Sequence, residues 1–188
     1  MSDKIILGID PGTNIMGYSI INCNDTKPVL LTIGVLKLSK LDNHYTRIHQ
    51  IFERTLTLID EYRVTDLAIE SPFYGKNVQS MLKLGRAQGS AMSAALYRHI
   101  PIFEYAPLKI KMSITGYGKA SKEQVASILQ KLVQIKEMPT YLDATDALAV
   151  ALCHFYNLNK RIPTVKHKKK NNKSAWKEYI LKNPDRKL

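Results

Sequence analysis

Short apolar runs dominate the first third of the chain. Lys4–Asp10 is such a run, and it ends in Asp-Pro-Gly, as a strand does on entering a turn. Ile15–Cys23 and residues 29–38 are β-rich, and the turn-like segment 22–28 lies between them. Together they predict an antiparallel meander of three strands. The period then changes. Ile48, Ile51, Phe52, Leu56 and Ile59 recur at helical spacing along one face of His44–Tyr62. Asp66–Glu70 reads as a fourth strand, closed by Ser71-Pro72. Residues 78–98 predict a long helix, and residues 101–105 a short strand stopped by Pro107. Residues 121–133 predict a helix opened by the capping box Ser-x-x-Gln. Residues 140–157 predict a last helix, apolar nearly all round and therefore buried. The order βββαβαβαα predicts an α/β fold, a mixed five-stranded sheet with helices on its faces.

The chain has 188 residues, 45% of them apolar, enough for one compact domain with its own core. We assign that domain to residues 1–159. The formal net charge is +12, which points to a polyanionic partner. Most of the excess sits in residues 160–188, where eleven Lys and Arg face two acids. This Lys-rich C-terminal tail reads either as a solubilising segment or as a phosphate-binding arm, and we favour the arm. Ser174, Trp176, Tyr179 and Ile180 mark a short capped helix within it, whose apolar stripe suits docking on the core. The apolar run 147–153 is too short to span a bilayer, and Asp10 interrupts the first apolar run too early for a secretory leader. A membrane role is therefore not expected. Cys23 and Cys153 form neither a Cys-x-x-Cys pair nor a disulfide framework, which suits a reducing cytoplasm.

The chemistry lies in the acids. Asp10 ends the first strand and Glu70 the fourth, at the sheet edge where sites are common. Asp143 and Asp146 share a face of the last helix. Each has an ordinary explanation on its own: a turn residue for Asp10, an exposed strand end for Glu70, a capping group for Asp143, a solvated acid for Asp146. Jointly those explanations weaken, because an acid on a buried helix needs a partner. Four convergent carboxylates repel one another unless a hard cation joins them. Two Mg²⁺ ions in such a site support in-line phosphoryl displacement. An acidic cluster within a basic protein therefore suits a nuclease. Five histidines offer no zinc spacing.

Five ordered segments resemble the RuvC family of Holliday junction resolvases. They are Ile6-Leu-Gly-Ile-Asp-Pro-Gly-Thr13; Ala68-Ile-Glu-Ser-Pro-Phe73 with Lys76-Asn77; Lys83-Leu-Gly-Arg-Ala-Gln-Gly89; Glu104-Tyr-Ala-Pro107 through Lys111 and Gly116-Tyr-Gly118, read as a loop; and Asp143-Ala-Thr-Asp-Ala-Leu-Ala149. The resemblance covers roughly residues 4–157 and implies a ribonuclease-H-like fold. It implies a crossover junction endodeoxyribonuclease that uses Mg²⁺ or Mn²⁺ to resolve four-way DNA junctions by paired symmetric nicks, leaving 5′-phosphate and 3′-hydroxyl ends. Asp10, Glu70, Asp143 and Asp146 would be the catalytic, metal-binding acids. Lys111 and Lys122 would be the catalytic lysines near the scissile phosphate. Phe73 would meet unstacked bases at the junction. DNA contacts are expected at Lys76, Asn77, Lys83, Arg86 and Lys119 as well. The resemblance also implies a homodimer and a branch-migration complex of the RuvA and RuvB type as partners.

For the dimer, the stripe Gly85, Gly89 and Ser93 offers a close-packing helix face, although it suits packing on the chain's own sheet equally well. The tail beyond Asn157 departs from the shorter family members. Rival functions are an actin-like ATPase or sugar kinase, a relative acting on RNA or other branched nucleic acid, and a non-catalytic junction-binding module. The ATPase is disfavoured by the lack of a second phosphate loop, and the binding module by the four intact acids.

Overall fold

The computed structural model describes residues 4–24, 27–72, 77–133, 135 and 139–159. The tail of residues 160–188, with the helix expected around Trp176, lies outside the described residues, as do Phe73 and Lys76.

A five-stranded mixed sheet forms the centre, with strands in the order β3-β2-β1-β4-β5. Strands β1 (Lys4–Asp10), β2 (Ile15–Cys23) and β3 (Pro28–Lys37) make the antiparallel meander. Strands β4 (Asp66–Glu70) and β5 (Ile102–Tyr105) add to β1 in parallel. Helices α1 (His44–Tyr62) and α2 (Val78–Tyr97) cover one face, over a core that includes Leu7, Ile9, Leu67 and Ile69. Helices α3 (Pro107–Thr115), α4 (Lys122–Leu132) and α5 (Leu142–Asn159) cover the other, over Ile6, Ile21, Ala68 and Tyr105. The strand period of two sends alternate residues into these two cores. This is the mixed sheet with helices on both faces that the residue pattern predicts.

Several local signals act as expected. Asn43 caps α1, its side chain accepting from the Thr46 N–H at 2.9 Å. Ser121 and Gln124 close the capping box of α4. Helix α5 is buried on almost every side from Ala144 to Phe155.

Two details differ. On α1, Leu58 is fully buried and Leu56 only partly, because the helix packs on both the sheet and α2 and its apolar stripe is wider than one row. Helix α3 replaces the loop expected over residues 104–118. Pro107 ends β5, but it is also the first residue of a helix, where a fixed φ and a missing N–H are assets.

Strand β4 opens on a buried polar group. Asp66 is fully buried, and both its oxygens accept from Lys4 Nζ at 2.8 Å. The Thr65 hydroxyl donates to Asp66 Oδ2 at 2.7 Å. His154 Nε2 lies 3.8 Å from Asp66 Oδ1, and His154 Nδ1 lies 2.7 Å from the Tyr105 hydroxyl. Burial pushes the His154 imidazole down to about 4 against the pull of Asp66, so it is neutral at pH 7.

Candidate active site

Helix α5 approaches the sheet through two glycines. A Cβ on Gly8 would lie 2.2 Å from the Ala147 carbonyl oxygen, and one on Gly17 would lie 1.9 Å from that of Asp143. Only hydrogen fits at either position, so the α5 backbone rests directly on β1 and β2. Gly17 is the cross-strand partner of Asp10, and Gly8 precedes Asp10 by two residues on the same face. This contact sets the start of α5, with its acids, beside Asp10. Glu70 joins from the neighbouring strand: Ile9 pairs in parallel with Ile69, so Asp10 and Glu70 end their strands side by side. Both face α5.

Asp10, Glu70 and Asp146 line one cavity of about 200 Å³, walled by Pro107, Ile110, Lys111, Lys122, Val125 and Ala149. Asp143 is not among the lining residues, but its charge acts on Asp10, Asp146 and Lys122. It sits at the rim. Lys122 forms an ion pair with Asp146. Burial, reinforced by the charges of Glu70, Asp146 and Asp143, pushes the Asp10 carboxyl up to about 8. Burial and Asp146 push Glu70 up to about 7, although Lys122 and Lys111 pull the other way. Burial also raises Asp146, against the Lys122 hydrogen bond. Burial opposes the Lys122 charge, but the bond to Asp146 and the surrounding carboxylates hold its pKa above the ordinary value. Fully ionised, the cavity's carboxylates would carry more negative charge than burial and its lysines can support, and the raised values hold part of that charge as bound protons.

All the donors that converge here are carboxylate oxygens, the set preferred by hard divalent cations. Their raised pKa values express a charge deficit that such a cation removes. Among the described residues, no three His, Cys, Asp or Glu side chains stand in a ready-made metal-holding arrangement. The donor chemistry fits a cation, and Lys122 would have to release Asp146 to one.

Comparison with known proteins gives the same direction. The family model for crossover junction endodeoxyribonuclease RuvC matches residues 6–154, which span all four acids. The chain belongs to the RuvC family. It is 53% identical to the crossover junction endodeoxyribonuclease RuvC of Bacteroides fragilis over 99% of this chain and 97% of that one. It is 50% identical to that of Porphyromonas gingivalis over 98% and 97%. Among solved structures, Thermus thermophilus RuvC in complex with a Holliday junction substrate matches with a TM-score of 0.76 at 31% identity, over 82% of this chain and 94% of that one. RuvC enzymes generally depend on a divalent metal, and the ribonuclease-H-like fold is shared with the solved members.

The other residues singled out in the sequence occupy varied places in the chain. Lys111, on α3, lines the cavity. Lys119 is exposed on the turn between α3 and α4. Asn77 caps α2, its side-chain oxygen accepting from the Ser80 N–H at 3.0 Å, so that oxygen serves the helix start. Lys83 is exposed on α2, and its charge, with that of Arg86, depresses His44 after the larger effect of burial. Arg86 opens onto the groove between α1 and α2 beside Tyr45, Ile48 and Phe52, away from the carboxylates.

Two further residues support the site and are not among those the sequence singles out. Gln88 is buried on α2, and its amide donates to Glu104 Oε2 at 2.9 Å and to the Glu70 carbonyl at 3.4 Å, tying α2 to the ends of β4 and β5. Its signal is an amide set among the small residues Ala87, Gly89, Ser90 and Ala91. Arg47 donates to the Thr13 carbonyl at 3.0 Å, Asn14 Oδ1 at 2.8 Å and the Leu41 carbonyl at 3.2 Å. It fixes the turn that follows Asp10, and nothing local in the sequence marks it.

Proposed function

We propose that this chain is a metal-dependent, structure-selective endonuclease that resolves four-way (Holliday) DNA junctions by paired symmetric nicks in homologous recombination and repair. The observation that carries this reading is the carboxylate cavity, in which Asp10, Glu70 and Asp146 converge beneath Lys111 and Lys122. At about 200 Å³ it is smaller than ordinary ligand pockets of roughly 300–1,000 Å³. That size suits a backbone phosphate rather than a whole nucleotide.

Asp10, Glu70 and Asp146, with Asp143 at the rim, are the residues that would hold Mg²⁺ or Mn²⁺, two ions to a site. Bound there, the cations supply the Lewis acidity and charge neutralisation for phosphodiester hydrolysis. The protein's own groups do the remaining work. Lys122 shuttles between Asp146 and the phosphate, placing a cation where negative charge develops. Lys111 contributes a second positive charge from the facing helix. Pro107, Ile110, Val125 and Ala149 form an apolar wall that limits water and strengthens every charge inside. Gly8 and Gly17 keep α5, and hence Asp146, in register with Asp10.

A junction has two opposed strands to cut, which suits a two-fold dimer with one site for each. The α2 stripe supports this. A Cβ on Gly85 or Gly89 would meet nothing within 4 Å, and Ser93 is exposed, so the face does not pack on its own sheet. Lys76, Asn77, Lys83, Arg86 and Lys119 are assigned to the DNA backbone, and Phe73 to unstacked bases at the branch point. Family membership supports cooperation with a branch-migration complex of the RuvA and RuvB type. Action on chromosomal junctions places the enzyme in the cytoplasm, and among the described residues no helix is long and apolar enough to cross a membrane.

The test is incubation of the purified protein with a labelled synthetic four-way junction, with Mg²⁺ and with EDTA. Paired nicks at symmetric positions, abolished by EDTA, are expected. Tight junction binding without cutting in either Mg²⁺ or Mn²⁺ would reduce the protein to a binding module.

A further inference from the structure

Helix α3 has two working faces. Pro107, Ile110 and Lys111 line the carboxylate cavity. The adjoining face is apolar and open. Leu108 is 64% exposed and Met112 49%, and their i, i+4 spacing stacks them in one row. The turn to α4 extends that row. A Cβ on Gly118 would lie 3.1 Å from Leu108 Cγ and 3.3 Å from Met112 Cγ, so the turn packs onto this pair. Tyr117 projects from the same turn, 58% exposed.

The turn is held rigidly. Gly116, at φ 72°, takes the left-handed conformation that closes α3, and its N–H donates to the Met112 carbonyl at 3.0 Å. The Tyr117 N–H donates to Thr115 Oγ1 at 3.0 Å, and the Tyr117 carbonyl accepts from the Ala120 N–H at 3.1 Å. Both backbone polar groups of Tyr117 are thus fixed while its ring stands in water. A large aromatic on a rigid mount, in a turn whose next residue packs onto two exposed aliphatic side chains, is a surface built to meet a partner.

Charge identifies the partner. Residues 106–122 carry Lys109, Lys111, Lys119 and Lys122 and no acid; Glu123, which shares a surface cavity with Tyr117, follows them, and the four lysines outweigh it. Lys111 and Lys122 from the same elbow reach the cavity assigned to the scissile phosphate. We propose that the ridge of Leu108, Met112 and Tyr117 is a strand-positioning surface for the DNA being cut: the Tyr117 ring stacks on an unstacked base next to the scissile phosphate, and Leu108 and Met112 support its sugar edge. Aromatic stacking tolerates any base, and the flanking lysines hold the backbone. The surface acts together with the two lysines of its own elbow, so it governs which phosphate enters the cavity. This rests on the nuclease reading above.

The experiment compares the full chain with Tyr117→Ala, Tyr117→Phe and Tyr117→Trp. All should melt as wild type does, because the ring is exposed. With a junction in Mg²⁺, Tyr117→Ala is expected to cut about ten-fold more slowly at saturating enzyme, the low end of one base–aromatic stack. Its cuts should spread to neighbouring phosphates, while junction affinity changes less than about three-fold, because the lysines remain. Tyr117→Phe should restore rate and position. In EDTA, the fluorescence of Tyr117→Trp should be quenched by added junction beyond the response of wild type, whose one tryptophan is Trp176. Unchanged rate and position in Tyr117→Ala, or no added quenching in Tyr117→Trp, would overturn the proposal. Wild-type protein that cuts no junction would instead defeat the nuclease reading.

Discussion

Strand β4 carries a carboxylate at each end, and the two have opposite fates. At its start, Asp66 is fully buried yet satisfied, since Lys4 meets both oxygens and Thr65 donates a third hydrogen bond. At its end, Glu70 shares a cavity with Asp10 and Asp146, and burial with mutual repulsion raises it to about 7. The residue types are nearly the same, and the strand is the same. What differs is whether the fold supplies enough positive charge. A buried carboxylate with its partners in place holds structure together. A cluster left short of charge keeps a deficit that a cation and a phosphate can use.

That contrast can be broken from either end. The largest effect is expected at the deficient end. Asp10→Asn or Asp146→Asn should lower junction cleavage by at least about 10³-fold, because each removes a carboxylate from the cation site, while metal-free melting temperature holds or rises. Next, Lys122→Ala should lower single-turnover cleavage by about 10²–10³-fold, the range for one lost charge-stabilising group, with junction affinity little changed in a filter or gel assay. At the satisfied end, Lys4→Met leaves Asp66 buried with its main partner gone. It should cost about 2–3 kcal/mol in denaturant unfolding, discounted because Lys4 is partly exposed, without changing cleavage per folded molecule.

A smaller effect concerns pH. Asp10 and Glu70 titrate higher in the folded protein, at about 8 and about 7, than their ordinary values of 3.8 and 4.5. The folded state therefore holds extra protons between about pH 4 and 8, and metal-free stability should fall as pH rises through that window. Mg²⁺ should raise the melting temperature more at pH 8 than at pH 6. A flat metal-free profile would contradict the raised values. The smallest structural consequence is expected from removing residues 160–188, which should weaken binding to any DNA and flatten its salt dependence, leaving the cleavage position unchanged.

Much of this arrangement was legible in the chain. The strands were bounded by Asp-Pro-Gly and Ser-Pro turns and by the change of period, which are local signals. Asp10 and Glu70 are legible because they end strands at the sheet edge where sites are common, and Asp143 and Asp146 because their helix is buried. Helix α3 is not legible, since a proline two residues beyond a strand reads as a stop, whereas Pro107 here opens a helix. Nor was the seat of α5: Gly8 and Gly17 reveal their role only when a helix from far along the chain lies on them. That Asp146 lines the cavity and Asp143 does not is likewise a matter of helix rotation, which spacing alone leaves open. Arg47 acts on distant carbonyls and carries no local mark, and the partners of Gln88 on β4 and β5 lie far from it in sequence.

The most direct test sets the two ends of β4 against each other in one assay. Glu70→Gln and Asp66→Asn are compared with wild type for Mg²⁺-dependent cutting of a synthetic four-way junction, with activity normalised to folded protein by circular dichroism. The account predicts that Glu70→Gln binds the junction and does not cut it, whereas Asp66→Asn melts at a lower temperature and cuts at the wild-type rate. Cutting by Glu70→Gln at the wild-type rate, or loss of cutting in folded Asp66→Asn, would contradict it.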